Sequence, residues 1–93
     1  MIELGRIHME DCNSPGKAFY QLYLYEDEKG GYLIEKRSGA RGKVLDRRVW
    51  ERSSREEAEM MFCSIVMKKT DPARKSPRHY RLVQDVFNLS AAV

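Results

Sequence analysis

Cysteine, proline and long apolar runs are all scarce in this chain of 93 residues, and each scarcity closes off a class of protein. The two cysteines, Cys12 and Cys63, stand far apart, with no CxxC or Cys/His cluster around either. Zinc-ligand spacing is therefore absent, and two free thiols in a reducing compartment are the ordinary reading. No apolar run approaches the ~20 residues of a membrane span, so no membrane partner is expected. The first residues, MIELGRIHMED, lack the basic start, apolar middle and small-residue cleavage site of a secretory leader, which sets the expectation of a cytoplasmic protein. Catalytic signatures are missing too. There is no P-loop, no GxGxxG and no HExxH, and neither His8 nor His79 adjoins a nucleophile motif. Asp11 beside Cys12 is no catalytic arrangement, and Asp27 and Glu28 fall in a turn where solvation explains them. A non-enzymatic protein without metal or cofactor is expected. Helix-turn-helix, zinc-finger and RNA-recognition signatures are also lacking, so sequence-specific readout is not indicated.

What the chain does have is charge, unevenly spread. The 42% apolar and 33% charged fractions suit a soluble globular domain rather than a disordered chain. The length suits one domain with one modest core. Residues 1–31 carry three cations against six acids, whereas residues 36–55 carry eight cations against Asp46 and Glu51. A second run, residues 68–81, has six cations against Asp71. Concentrated positive charge attracts polyanions before any specific contact forms.

Periodicity supplies the elements. IELGRIHM alternates loosely, with a slip near Gly5, and DCNSPGK ends that strand. In AFYQLYLYE, Tyr20, Leu22 and Leu24 share one face, while Phe19, Gln21, Tyr23 and Tyr25 share the other. DEKGG then turns the chain into YLIEKR, an antiparallel hairpin. After SGARG, KVLDRRVWER forms a third strand, with Leu45, Arg47 and Val49 facing one way and Val44, Asp46, Arg48 and Trp50 the other. Ser53 and Ser54 precede Glu56 and Glu57 with capping-box spacing. Ala58, Met61, Phe62, Ile65 and Val66 then form one helical stripe, and Thr70-Asp71-Pro72 stops it. The loop ARKSPR leads to a last strand in HYRLVQDVF. The expected fold is α+β: a mainly antiparallel sheet of four to five strands with one long helix on one face. Residues 1–85 make the domain and 86–93 an apolar C-terminal tail.

The order and the residues together resemble a WGR domain, the small module of poly(ADP-ribose) polymerases and of assorted bacterial proteins. The resemblance covers residues 2–83. It rests on DCNSPGKAFYQLYLYEDEKGGYLIEKR, with Lys17, Phe19, Tyr20 and Leu22 in place, and on a serine-capped helix carrying Glu-Glu-Ala early. At the name-giving Trp-Gly-Arg, Ser38 stands for the tryptophan, Gly39 matches, Ala40 stands for the arginine, and Gly42 matches a later glycine. The resemblance implies a WGR-like fold, nucleic-acid contact and relay between neighbouring domains.

KRSGARGKV, Lys36 to Val44, is the stretch that carries the functional reading. Glycines let the backbone approach closely, while amides and guanidinium groups donate to anionic oxygens. As plain structure, the same residues make a β-connection in which Gly39 and Gly42 take positive φ and the cations stay hydrated. The expectation is a small DNA-binding module, weak and nonspecific, using a basic strand-and-turn surface of Lys36, Arg37, Gly39, Arg41, Gly42, Lys43, Arg47 and Arg48. Arg74, Lys75 and Arg78 are secondary candidates. Trp50 reads as packing. The tyrosines could make a stacking platform, although about half of them belong in the core. The competing expectation is a protein-interaction or self-association module. Met60, Cys63 and Met67, at i, i+3 and i+7, form a secondary helix face that suits a partner if it is exposed.

Overall fold

The structure is a computed structural model and describes residues 1–11, 13–73 and 80–87. It is an α+β domain in the order β1 (Ile2–Glu10), β2 (Phe19–Glu26), β3 (Tyr32–Ala40), β4 (Lys43–Arg52), α1 (Arg55–Thr70) and β5 (Arg81–Phe87). All five strands lie in one antiparallel sheet ordered β4-β3-β2-β1-β5. The first four form a meander. The helix then carries the chain back across the sheet, so that β5 pairs with β1 on the far edge. No helix among the described residues is long and apolar enough to cross a membrane.

Alternation decides which face is covered. Leu22 and Leu24 on β2 pair with Lys36 and Ile34 on β3, and Ile34 pairs with Trp50 on β4, so these residues share the face beneath α1. Leu22, Leu24, Ile34, Met9, Ala58 and Phe62 are fully buried there, with Trp50, Met61, Ile65 and Val66 packed against them. Trp50 thus packs as expected. The helix begins where its sequence says it should: the Ser54 hydroxyl accepts from the Glu57 amide at 3.1 Å. Glu56 and Glu57 occupy its first turn and Lys68 and Lys69 its last, the arrangement the helix dipole favours. The expected slip on β1 is also present, as a register shift between Glu3 and Gly5.

Turn chemistry sets the two hairpins. The Asp27 carboxylate accepts from the amides of Lys29 and Gly31, both at 2.8 Å, and Gly30 takes φ +82°. Asp27 is a turn-forming side chain. At the other hairpin the expected loop SGARG is much shorter: β3 runs on to Ala40, and only Arg41 and Gly42 turn the chain. Both have positive φ, 54° and 77°, as a two-residue type I′ turn requires. Gly39 is not at positive φ, which corrects the expectation from sequence. β5 continues through Phe87, into the segment read as a tail from residue 86. Residues 88–93 of that tail, and Cys12, lie outside the described residues.

Phe62 is the largest side chain with no exposure, whereas Met60 is 67% exposed two residues before it. Phe62→Ala is expected to cost about 3–5 kcal/mol in chemical denaturation. Met60→Ala should stay within about 0.5 kcal/mol of wild type.

Candidate nucleic-acid interface

The β3–β4 arm starts from a space that no side chain fills. A Cβ on Gly39 would stand 1.8 Å from the Lys43 carbonyl oxygen and 2.9 Å from the Leu45 amide nitrogen. The two strands can approach here only because residue 39 is glycine. The pairing shifts at this point: Ser38 lies opposite Asp46, but Gly39 lies opposite Val44, leaving Leu45 as an extra residue in a β-bulge. The bulge moves Val44 to the face of Phe19, opposite the face expected from strict alternation. That happens because one inserted residue inverts the side-chain order beyond it.

The candidate cations therefore do not form one surface. Lys36 and Arg48 are cross-strand neighbours on the helix side of the sheet. There the Lys36 ammonium donates to Asp46 Oδ2 and lies 5.8 Å from the Tyr20 ring centroid. That contact holds the exposed Asp46 carboxyl below the usual range, first by the hydrogen bond and then by the charge. The Arg48 guanidinium sits 4.8 Å from the centroid of Trp50.

Arg37 and Arg47 face each other on the opposite side, and both donate to Glu35. Arg37 Nη2 reaches Oε1 at 3.1 Å and also lies 5.1 Å from the Tyr23 ring centroid. Its hydrogen bond to Glu35 leads the causes that hold Arg37 above its ordinary pKa. Glu35 itself is buried although it belongs to the face without a helix. Two guanidinium groups cover it, and a stacked pair of rings, Tyr23 and Tyr25, lies alongside with centroids 5.9 Å apart. Burial, reinforced by Glu35, pushes the Tyr25 hydroxyl upward. Phe19 is also buried on this side, with the His8 ring stacked 6.0 Å away. The sheet face without a helix thus carries a thin cover of its own side chains.

The tip of the arm is different. Arg41 and Lys43 are exposed and have no carboxylate partner among the described residues. The Arg41 amide donates to the Gly16 carbonyl at 2.9 Å, which ties the hairpin turn to the loop between β1 and β2. This bond brings in Lys17, a residue the charge runs did not single out because it lies in the acidic N-terminal third. Lys17 and Arg41 line the same shallow depression with Phe19, Gln21 and Val44, and His8 and Glu10 close it. Among the described residues, Lys17 (φ 51°) and Arg41 (φ 54°) are the two non-glycine residues with left-handed backbone. Arg74, Lys75 and Arg78 lie outside the described residues.

Comparison with known protein families, curated proteins and solved structures returns no match to this chain.

Two outcomes follow from the arm. Gly39→Ala should cost about 3 kcal/mol or more, because the Lys43 carbonyl is backbone and cannot step aside without opening the hairpin. A melting temperature within a few degrees of wild type would contradict the close approach. Glu35→Gln leaves Arg37 and Arg47 without their shared anion and should cost about 1–3 kcal/mol in urea denaturation. That is less than a fully enclosed pair would lose, because Arg47 is 60% exposed.

Proposed function

We propose that the chain binds nucleic acid, without sequence preference, through phosphate contacts at the β3–β4 tip, with Lys17, Arg41 and Lys43 as the leading residues. The observation that carries this reading is the backbone at Lys17 and Arg41. A left-handed position costs an ordinary side chain about 1 kcal/mol and is most easily filled by glycine or asparagine. Here two such positions, joined by the Arg41–Gly16 hydrogen bond, both hold long cations that lack a carboxylate partner among the described residues. Structure alone gives no reason for that choice of residue, whereas polyanion binding does. Gly42 and the turn amides let a phosphate come close. Arg37, half-exposed over Tyr23, extends the site along the sheet beside a ring pair on which a base can stack. Lys36 and Arg48 support the arm from the helix side. The resemblance to WGR domains points to the same class of ligand.

A second reading, a protein-interaction module, draws on the helix. Met60 and Met67 are 67% and 71% exposed, and Cys63 is exposed between them, so the methionine face is available rather than widening the core. Binding there would resist salt, whereas phosphate binding would not.

The test is fluorescence-anisotropy titration of labelled single- and double-stranded DNA across salt. Three phosphate contacts give a log–log salt slope near −2.7 on duplex, so affinity should fall about fortyfold between 50 and 200 mM salt. Lys17→Gly with Arg41→Gly removes two contacts while relieving both left-handed positions, so folding is retained and the slope should shrink by about 1.8. Arg48→Ala should leave the slope unchanged. Absence of binding at low salt, or equal binding by the double glycine variant, would exclude the tip as a nucleic-acid site.

A further inference from the structure

Strand β4 forms one edge of the sheet, and among the described residues no strand lies beside its outer row of amides and carbonyls. Residues 43–49 are all exposed, including Val44, Leu45 (73%) and Val49. Long, apolar, uncovered edges invite another strand, and soluble proteins ordinarily blunt them with charge or with a bulge. This edge has both charge and a bulge, but its charges are ordered in a particular way. Read in either direction about Arg47, KVLDRRVWE is self-complementary. One step out, Asp46 matches Arg48. Beyond these, the bulged pair Val44 and Leu45 matches Val49. Beyond the bulge, Lys43 falls opposite Trp50, both on the helix side.

We infer that β4 pairs antiparallel with β4 of a second copy about a two-fold axis at Arg47, joining two sheets into one of ten strands. The faces agree with this register. Asp46 and Arg48 both lie on the helix side, so Asp46 of one copy meets Arg48 of the second copy, and the symmetry makes that contact twice. Asp46 keeps one oxygen on Lys36 and has the other to offer. The bulge places Val44 on the same side as Val49, so the apolar pair also falls on one face. The like charges directly opposite at the axis are the two Arg47 side chains, and each is already bound to its own Glu35. Shifting the register by one residue sets Asp46 against Val49 or Leu45 against Arg48, and the complementarity is lost.

Sedimentation velocity from about 5 to 500 µM protein, without nucleic acid, tests the inference. Wild type should pass from monomer to dimer as concentration rises. Asp46→Arg and Arg48→Asp should each raise the dimer dissociation constant about tenfold, because each turns two attractive pairs into repulsive ones. The double reversal should return it to within about threefold of wild type, since the swapped charges again meet across the axis. Leu45→Lys, at a position exposed in the single chain, should weaken the dimer without disturbing the fold. Thermal melts of each variant show that it is folded. A protein that stays monomeric throughout, or a dimer indifferent to the β4 changes and broken instead by Met60→Glu, overturns the inference. The readout contains no nucleic acid, so its failure leaves the tip site standing and the reverse holds too.

Discussion

At Gly39 the chain carries no side chain, and the Lys43 carbonyl stands in the space a Cβ would take. The rest of the β3–β4 arm follows from that one allowance. The strands close to contact distance, Leu45 is squeezed out as the extra residue of a bulge, and the side-chain order of β4 inverts beyond it. Val44 is thereby set beside Phe19, with Arg41 and Lys17 around the same depression. The type I′ turn that ends the arm needs two left-handed residues and takes one of them from Gly42. Gly39 and Gly42 thus serve different ends, one permitting close approach and the other permitting a turn.

Formal charge overstates what this surface offers a ligand. Of the cations in Lys36–Arg48, Lys36 is taken up by Asp46, while Arg37 and Arg47 share Glu35. Arg48 lies over Trp50 and keeps its charge but loses reach. Pairing lowers both the field outside and the number of counterions a polyanion can release. The cations that remain are those with no carboxylate partner among the described residues, at the turn and on the loop tied to it. Local charge counted along the chain ranks Arg47 above Lys17, and geometry reverses that order.

The sequence made much of the fold legible because each signal was local. Alternation in FYQLYLYE placed Leu22 and Leu24 under the helix, Ser54 set the helix start, and the Ala58–Phe62 stripe marked its buried side. What escaped were consequences of pairing. The bulge at Leu45 has no motif of its own, since it arises from where Gly39 falls opposite β4. Burial of Glu35 on a face without a helix depends on two arginines from neighbouring strands closing over it. Lys17 joined the candidate site through a backbone bond between a turn and a loop far apart in sequence. A signal did exist for Lys17, since NSPGK is a dense turn cluster where left-handed backbone is common.

Edge-to-edge pairing through β4 would bear on the tip site through geometry alone. On an axis at Arg47, with Val44 and Leu45 together opposite Val49, the Gly42 of one copy would lie alongside Glu51 of the other. The bulge takes one residue out of the ladder, so about eight steps of 3.4 Å would separate the two turns, roughly 27 Å. If the tip makes three phosphate contacts, as proposed, a single chain would bind weakly at physiological salt. Two such tips on one rigid sheet raise the effective concentration of the second contact once the first has formed, and avidity grows without any new interaction. The strand that forms an edge in one chain would thus set the distance between two such tips in a pair.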